Sequence, residues 1–149
     1  MEEIKIIENF LPEKNCKNLI KRFKEYNGKF EKFNKRFLLK LLNYPEDNLF
    51  KETIDLYYLP NQKIENIEIL FWELGESHAW HKDSVFYKYT TITYLNEGYV
   101  GGKTIIENNI IEPKTGKYVG FDADKMHCVT ELKSGQRFVL ICWYNPLVV

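Results

Sequence analysis

Three residues in this sequence could hold one metal ion between them. His81 and Asp83 flank a single lysine, and His127 follows far enough along the chain to come from another strand. Residues two apart in a strand project to the same face. An imidazole and a carboxylate would then enter one cavity together. Two histidines and one carboxylate can cap one face of an octahedral iron(II) ion and leave three positions open. A bidentate co-substrate and dioxygen would fill those positions. The pattern alone is weak. With three His and five Asp in 149 residues, His-x-Asp arises by chance in roughly one such chain in ten. A surface histidine beside a turn aspartate is the plain alternative.

Arg137 strengthens the case. Arginine is scarce, at three residues (Arg22, Arg36 and Arg137), and Arg137 opens the apolar run Arg137-Phe-Val-Leu-Ile-Cys-Trp143. A charge at the head of such a strand is seldom buried without a partner. Alternation puts Arg137, Val139, Ile141 and Trp143 on one face and Phe138, Leu140 and Cys142 on the other. An arginine in the same cavity as the metal would grip a distal carboxylate in bidentate fashion. The alternative is a salt bridge at the strand's exposed start.

The elements that must position these residues are legible in outline. A short strand is expected at residues 4–8. A helix follows from near Pro12, with Cys16, Leu19, Ile20 and Phe23 on one face and Gly28 as its stop. A second helix is expected from about Pro45 to Tyr58. Six strands then follow at Ile64–Trp72, Tyr87–Leu95, Lys103–Glu107, Lys117–Phe121, His127–Glu131 and Arg137–Trp143, several separated by glycine-bearing turns. Residues 29–43 are ambiguous, with a strand possible from Arg36 to Leu42. Helices first and many short strands after point to a sandwich or barrel with helices on one outer face.

Bulk properties narrow the function further. The length suits one domain spanning 1–149. Basic and acidic residues balance at 21 each, which removes the electrostatic argument for a nucleic-acid or membrane partner. The three cysteines (Cys16, Cys128 and Cys142) are odd in number and widely spaced. Free thiols fit a reducing, cytoplasmic location. The acidic opening Met-Glu-Glu-Ile-Lys does not read as a secretory signal, and no apolar run in the sequence is of membrane-spanning length.

From Ile67 to Pro146 the chain resembles the prolyl 4-hydroxylase branch of the 2-oxoglutarate/Fe(II)-dependent dioxygenases. The resemblance runs through Trp72-Glu-Leu-Gly75, His81-Lys-Asp83, Thr91-Ile-Thr-Tyr94-Leu95-Asn96 and Gly101-Gly102-Lys-Thr104. It continues through Pro113-Lys-Thr-Gly116, Phe121, His127, Val129, Gly135-Gln-Arg137 and Trp143-Tyr144. Ile7-Glu-Asn-Phe-Leu11 looks like the family's usual opening. The resemblance implies a mainly β fold with flanking helices (α+β): a double-stranded β-helix, or jelly roll, with iron at its open end. It implies His81, Asp83 and His127 as iron(II) ligands. Arg137 would pair with the far carboxylate of the co-substrate 2-oxoglutarate, with Tyr94 and Thr104 beside it and Trp143 as a wall. Dioxygen would be the oxidant and ascorbate a supporting reductant.

Three positions depart from patterns found in the family, which commonly has Tyr where Trp72 and His78 stand and, in its collagen-type members, Lys where Arg137 stands. Trp72 offers only an indole N–H donor toward the co-substrate. His78 is a candidate substrate contact, with a polar rim residue as the alternative. Asp122 and Asp124 suit turn chemistry, and Cys128 suits core packing. The implied substrate is peptidyl proline, with free proline, peptidyl lysine and other small amino acids as alternatives. A monomer or homodimer is expected. Two rival classes are a nucleic-acid demethylase on the same scaffold and a jelly-roll binding module without activity. The former typically carries a second arginine just past the first, and Phe138 to Tyr144 holds none.

Overall fold

The computed structural model describes residues 3–147. In chain order its elements are β1 (Lys5–Ile7), α1 (Glu13–Glu25), β2 (Glu31–Phe33), β3 (Arg36–Lys40), α2 (Asn48–Leu56), β4 (Gln62–Trp72), β5 (His78–His81) and β6 (Tyr89–Tyr94). There follow β7 (Val100–Gly101), β8 (Thr104–Ile106), β9 (Asn109–Ile111), β10 (Tyr118–Asp122), β11 (His127–Val129), β12 (Leu132–Ser134) and β13 (Arg137–Pro146). The fold is mainly β, as expected. A seven-stranded antiparallel sheet runs β1-β10-β6-β13-β4-β3-β2, and a four-stranded sheet runs β5-β11-β8-β9. None of the described helices is long and apolar enough to cross a membrane.

β13 is the organising strand. It pairs with β4 on one side and β6 on the other, and its alternation divides the interior. Phe138, Leu140 and Cys142 join Ile67 and Ile69 of β4 in a core that also holds Cys16, Leu19, Phe23 and Phe50 of the helices. Val139 faces the other way and joins Leu70, Trp72, Ile92, Tyr94 and Phe121 between the sheets. Helices therefore cover one outer face of the large sheet, and the small sheet closes over its inner face. The inner layer is where the cavity lies.

The helices follow the expected pattern with one shift. In α1 the buried face is Cys16, Leu19 and Phe23, and Ile20 is half-buried. α2 begins at Asn48, later than Pro45, because the Asp47 carboxylate accepts the Leu49 and Phe50 amide protons and so caps the helix there. Asp47 also pairs with Arg22 and accepts from the Tyr26 hydroxyl at 2.8 Å, tying α1 to α2.

Burial opposes ionisation of Asp47, but Arg22, Tyr26 and the Phe50 amide together hold its carboxyl below the ordinary value. A depressed carboxyl contributes stability above its unfolded pKa, about 4, and loses it as pH falls through the folded value. Asp47→Ala is expected to cost about 2–4 kcal/mol at pH 7, from the lost cap and the stranded donors. The difference from wild type should shrink below about pH 4. Urea melts at pH 7 and pH 3.5 check both statements.

Several short strands lay outside the sequence expectations: β2, β5, β7, β9 and β12. β12 falls between the strands expected at His127–Glu131 and Arg137–Trp143, and the glycine-bearing turn there narrows to Gly135 at φ +84°. The ambiguous stretch 29–43 forms the β2–β3 hairpin and a 3₁₀ turn at Leu41–Asn43.

Candidate metal centre and co-substrate pocket

The small sheet sets the two imidazoles side by side. His127 of β11 is paired directly with His81 at the end of β5, and their ring centroids lie 4.1 Å apart. Asp83 arrives by a different route from the one the sequence suggests. β5 ends at His81, and Asp83 sits in the bend beyond it. Its amide donates to the Ala123 carbonyl at 2.9 Å, and its own carbonyl accepts from Phe86 and Tyr87. Asp83 is thus brought beside His81 by this bend and not by strand alternation.

One donor atom from each of the three residues lies within 4.8 Å of the others. His81 Nε2 is 3.6 Å from Asp83 Oδ1, and His127 Nε2 is 3.4 Å from Asp83 Oδ2. The far ring nitrogens are occupied. His81 Nδ1 donates to the Ala79 carbonyl at 2.7 Å, and His127 Nδ1 to the Lys125 carbonyl at 3.0 Å. Protons held at Nδ1 leave both Nε2 lone pairs directed at the centre, the tautomer a metal ligand needs. Thr90 and Trp143 donate to Asp83 Oδ2 at 2.9 and 3.3 Å. Burial opposes ionisation of Asp83, but its contact with His127 and these two donors outweigh it and lower its pKa. For His81, burial is the largest influence and keeps the ring below its ordinary pKa, hence neutral. Two imidazoles with their Nε2 atoms turned inward and one carboxylate fit iron(II).

The cavity around these donors has a volume of about 150 Å³ and is walled mainly by apolar side chains. Arg137 stands on its inner wall, 2% exposed. Its Nε donates to the Gly102 carbonyl at 3.0 Å and its Nη2 to Thr104 Oγ1 at 3.2 Å. Tyr94 donates to the same Thr104 oxygen at 3.0 Å. The guanidinium lies 4.5 Å above the Trp72 ring. Gly101 and Gly102 make this packing possible. A Cβ at Gly101 would meet the Glu131 carbonyl oxygen at 1.9 Å, and one at Gly102 would press on Arg137 Cδ at 3.0 Å. Both have positive φ, which only glycine adopts without strain.

No carboxylate among the described residues pairs with Arg137, so the surface salt bridge does not form. A buried guanidinium with neutral hydrogen bonds alone is electrostatically incomplete. Beside it the Trp72 indole N–H and the Tyr99 hydroxyl are buried without hydrogen-bond partners. A dicarboxylate entering from the metal would supply the missing charge and acceptors. The residues present therefore fit 2-oxoglutarate.

The predicted residues are thus brought together, with one change of setting. Trp143 lines the cavity at the metal end, bonded to Asp83, and is not beside Arg137. His78 lines the cavity as expected, stacked on His81 with centroids 3.6 Å apart. Arg36 donates to His78 Nδ1 at 3.2 Å and is itself balanced by Glu76 at 3.0 Å. Burial, aided by the Arg36 charge, lowers the His78 imidazole to about 3. Thr90, Tyr99, Arg36 and Glu68 were missed. Only Arg36 had a visible signal, the scarcity of arginine.

Residues 67–145 match the family model described as the 2OG-Fe(II) oxygenase superfamily. The chain belongs to that family, whose metal is iron(II) and whose co-substrate is 2-oxoglutarate. It is 26% identical over 99 residues to a PKHD-type hydroxylase from Synechococcus sp. (strain CC9605). That stretch is 58% of this chain and 45% of the relative, so the match spans less than half the relative's length. The structure is similar to the 2OG complex of a viral collagen prolyl hydroxylase from Paramecium Bursaria Chlorella virus-1. The TM-score is 0.76 at 18% identity, covering 99% of this chain and 97% of that one. It is also similar to a prolyl-4-hydroxylase of Pseudomonas putida, with TM-score 0.69 at 15% identity and coverage of 97% and 93%. At such identities these likenesses establish the jelly-roll fold.

Proposed function

We propose that this chain is an iron(II)- and 2-oxoglutarate-dependent hydroxylase acting on prolyl residues of a peptide or protein. The observation that carries the reading is Arg137, a buried cation with no carboxylate partner, in the same cavity as an open two-histidine, one-carboxylate centre. When bound, iron and 2-oxoglutarate couple oxidative decarboxylation, giving succinate and carbon dioxide, to hydroxylation of a substrate C–H bond by dioxygen.

The chain's own residues supply position, charge and dryness. His81 and His127 present Nε2 lone pairs to the metal because the Ala79 and Lys125 carbonyls hold their other protons. Asp83 contributes the one negative ligand, oriented by Thr90 and Trp143. Arg137 neutralises the distal carboxylate of 2-oxoglutarate, and Trp72 donates its unpartnered indole N–H beside it. Tyr94 and Thr104 brace the guanidinium. Leu70, Ile92 and Ile141 keep water from the space where substrate meets metal. Ascorbate would be the supporting reductant. The three cysteines are free and buried, which suits a reducing, cytoplasmic setting.

The prolyl substrate is supported by the hydroxylase relatives named above. The test is succinate release by iron-loaded protein, screened over proline-containing peptides, free proline and lysine peptides. Release that needs iron(II) and 2-oxoglutarate and rises only with proline substrates is expected. Stimulation by lysine peptides alone would overturn the prolyl assignment.

A further inference from the structure

The cavity holds a second buried charge that the chemistry above does not use. Strand β4 puts Glu68, Leu70 and Trp72 in order along its inner face, and all three line the cavity. Trp72 is opposite Arg137, and Glu68 is opposite Ile141. Glu68 therefore lies about 13 Å along the strand from the Arg137 end, at four residues of strand rise. In the cross-strand direction Ile141 is paired with Ile92, one strand beyond. Glu68 is thus two strands from β6, the strand whose Thr90 holds Asp83. It lies toward the metal end of the cavity, away from the Arg137 end that would take the co-substrate carboxylate.

Its surroundings do not satisfy its charge. Glu68 is 6% exposed. One carboxylate oxygen accepts from the Asn66 amide at 3.1 Å, and no cation lies within ion-pair distance of it among the described residues. Lys40 is its cross-strand neighbour, but the Lys40 ammonium is directed to Glu31 at 3.7 Å. Arg36, the other cation on this wall, is matched by Glu76. Burial raises the Glu68 carboxyl, and an ammonium brought beside it would restore its charge. Arg137, the cavity's other cation, stands at its far end, and the groups nearest Glu68 on the strand faces are Leu70, Ile141 and Ile92, so a buried carboxylate with no ion-pair partner here is a site for a cationic nitrogen.

We propose that Glu68 anchors an ammonium group of the substrate, so that the hydroxylated unit carries a free amine on itself or on its immediate neighbour. This rests on the hydroxylase reading of the site. It requires a substrate with a positive charge close to the reacting carbon: a proline at a peptide's N-terminus, which narrows the prolyl reading, or free proline, which would replace the peptide in it. Both sources present the same ammonium, and the test separates them.

The experiment is calorimetry on protein loaded with zinc(II), which takes the same donors without redox chemistry. 2-Oxoglutarate is titrated first. L-proline and the tripeptide Pro-Ala-Gly then follow, each beside its N-acetylated twin, with and without 2-oxoglutarate present. A charge-assisted hydrogen bond predicts that at least one free amine binds about tenfold or more tighter than its acetylated twin. The stronger of the two identifies the source. In Glu68→Gln protein, which keeps the side chain's shape, that preference should fall to about onefold. 2-Oxoglutarate binding and binding of the acetylated twins should not change. Equal binding of free and acetylated ligands by wild type, or a preference that survives in Glu68→Gln, overturns the proposal. Failure of 2-oxoglutarate to bind overturns the hydroxylase reading instead, and the amine preference is still read without it.

Discussion

Asp83→Asn protein is expected to form succinate at least about a hundredfold more slowly than wild type at equal iron(II) and 2-oxoglutarate. Changes one shell further from a metal already cost 10–100-fold, and this one removes the only anionic ligand. The substitution keeps the volume of the side chain, and the amide oxygen can still accept from Thr90 and Trp143. The apo fold should therefore persist, with near-wild-type circular dichroism and thermal midpoint. Loss of activity with the fold intact assigns Asp83 to the metal. Wild-type turnover in this variant would remove it from the ligand set, and with it the reason for His81 and His127 to face each other at 4.1 Å.

Arg137→Met is expected to weaken 2-oxoglutarate binding about 100-fold or more. Two charge-assisted hydrogen bonds at about 1.5–3 kcal/mol each set that scale. Iron(II) affinity should change little, because Arg137 touches none of the three ligands. The same variant discriminates between a binding role and a structural one. A structural arginine leaves its partners stranded when removed and the fold weakens. Here the charge is buried without a carboxylate, and its removal strands the Gly102 carbonyl alone because Thr104 Oγ1 still accepts from Tyr94, so a methionine of similar length should leave apo stability within about 1–3 kcal/mol of wild type. Arg137→Lys should fall between the two, since it retains charge and loses the planar fork. A large drop in stability with unchanged 2-oxoglutarate affinity would make Arg137 a structural residue.

How much of this was readable from sequence depended on the length of the pattern. β13 alternates over ten residues, and that alternation alone places Arg137 and Trp143 on the cavity side and Phe138, Leu140 and Cys142 under the helices. The face of α1 was equally clear. Two- and three-residue strands such as β7 and β12 carry no period to detect; their pairing comes from the sheet around them. Asp83 shows a subtler limit. The His-x-Asp spacing suggested a shared strand face, whereas a bend held by the Ala123 carbonyl delivers the carboxylate. α2 starts at the residue Asp47 caps, and that preference was outweighed in the sequence by Pro45.

The residues that complete the site were the hardest to foresee. Thr90 is one of three threonines in β6, and nothing local distinguishes it from Thr91 or Thr93. Tyr99 and Glu68 acquire meaning only through what the fold sets opposite them. Trp72 gained from the structure: a departure from the common tyrosine becomes an unpartnered N–H beside a guanidinium that has no carboxylate partner.

The most direct test of the central claim is an anaerobic titration. Purified protein with one equivalent of iron(II) is titrated with 2-oxoglutarate while the visible spectrum is recorded. The account predicts a weak charge-transfer band that saturates at one 2-oxoglutarate per chain. It should be lost in Asp83→Asn protein and shifted to much higher concentration in Arg137→Met protein. A well-folded wild-type chain that develops no band and binds neither iron(II) nor 2-oxoglutarate would contradict it.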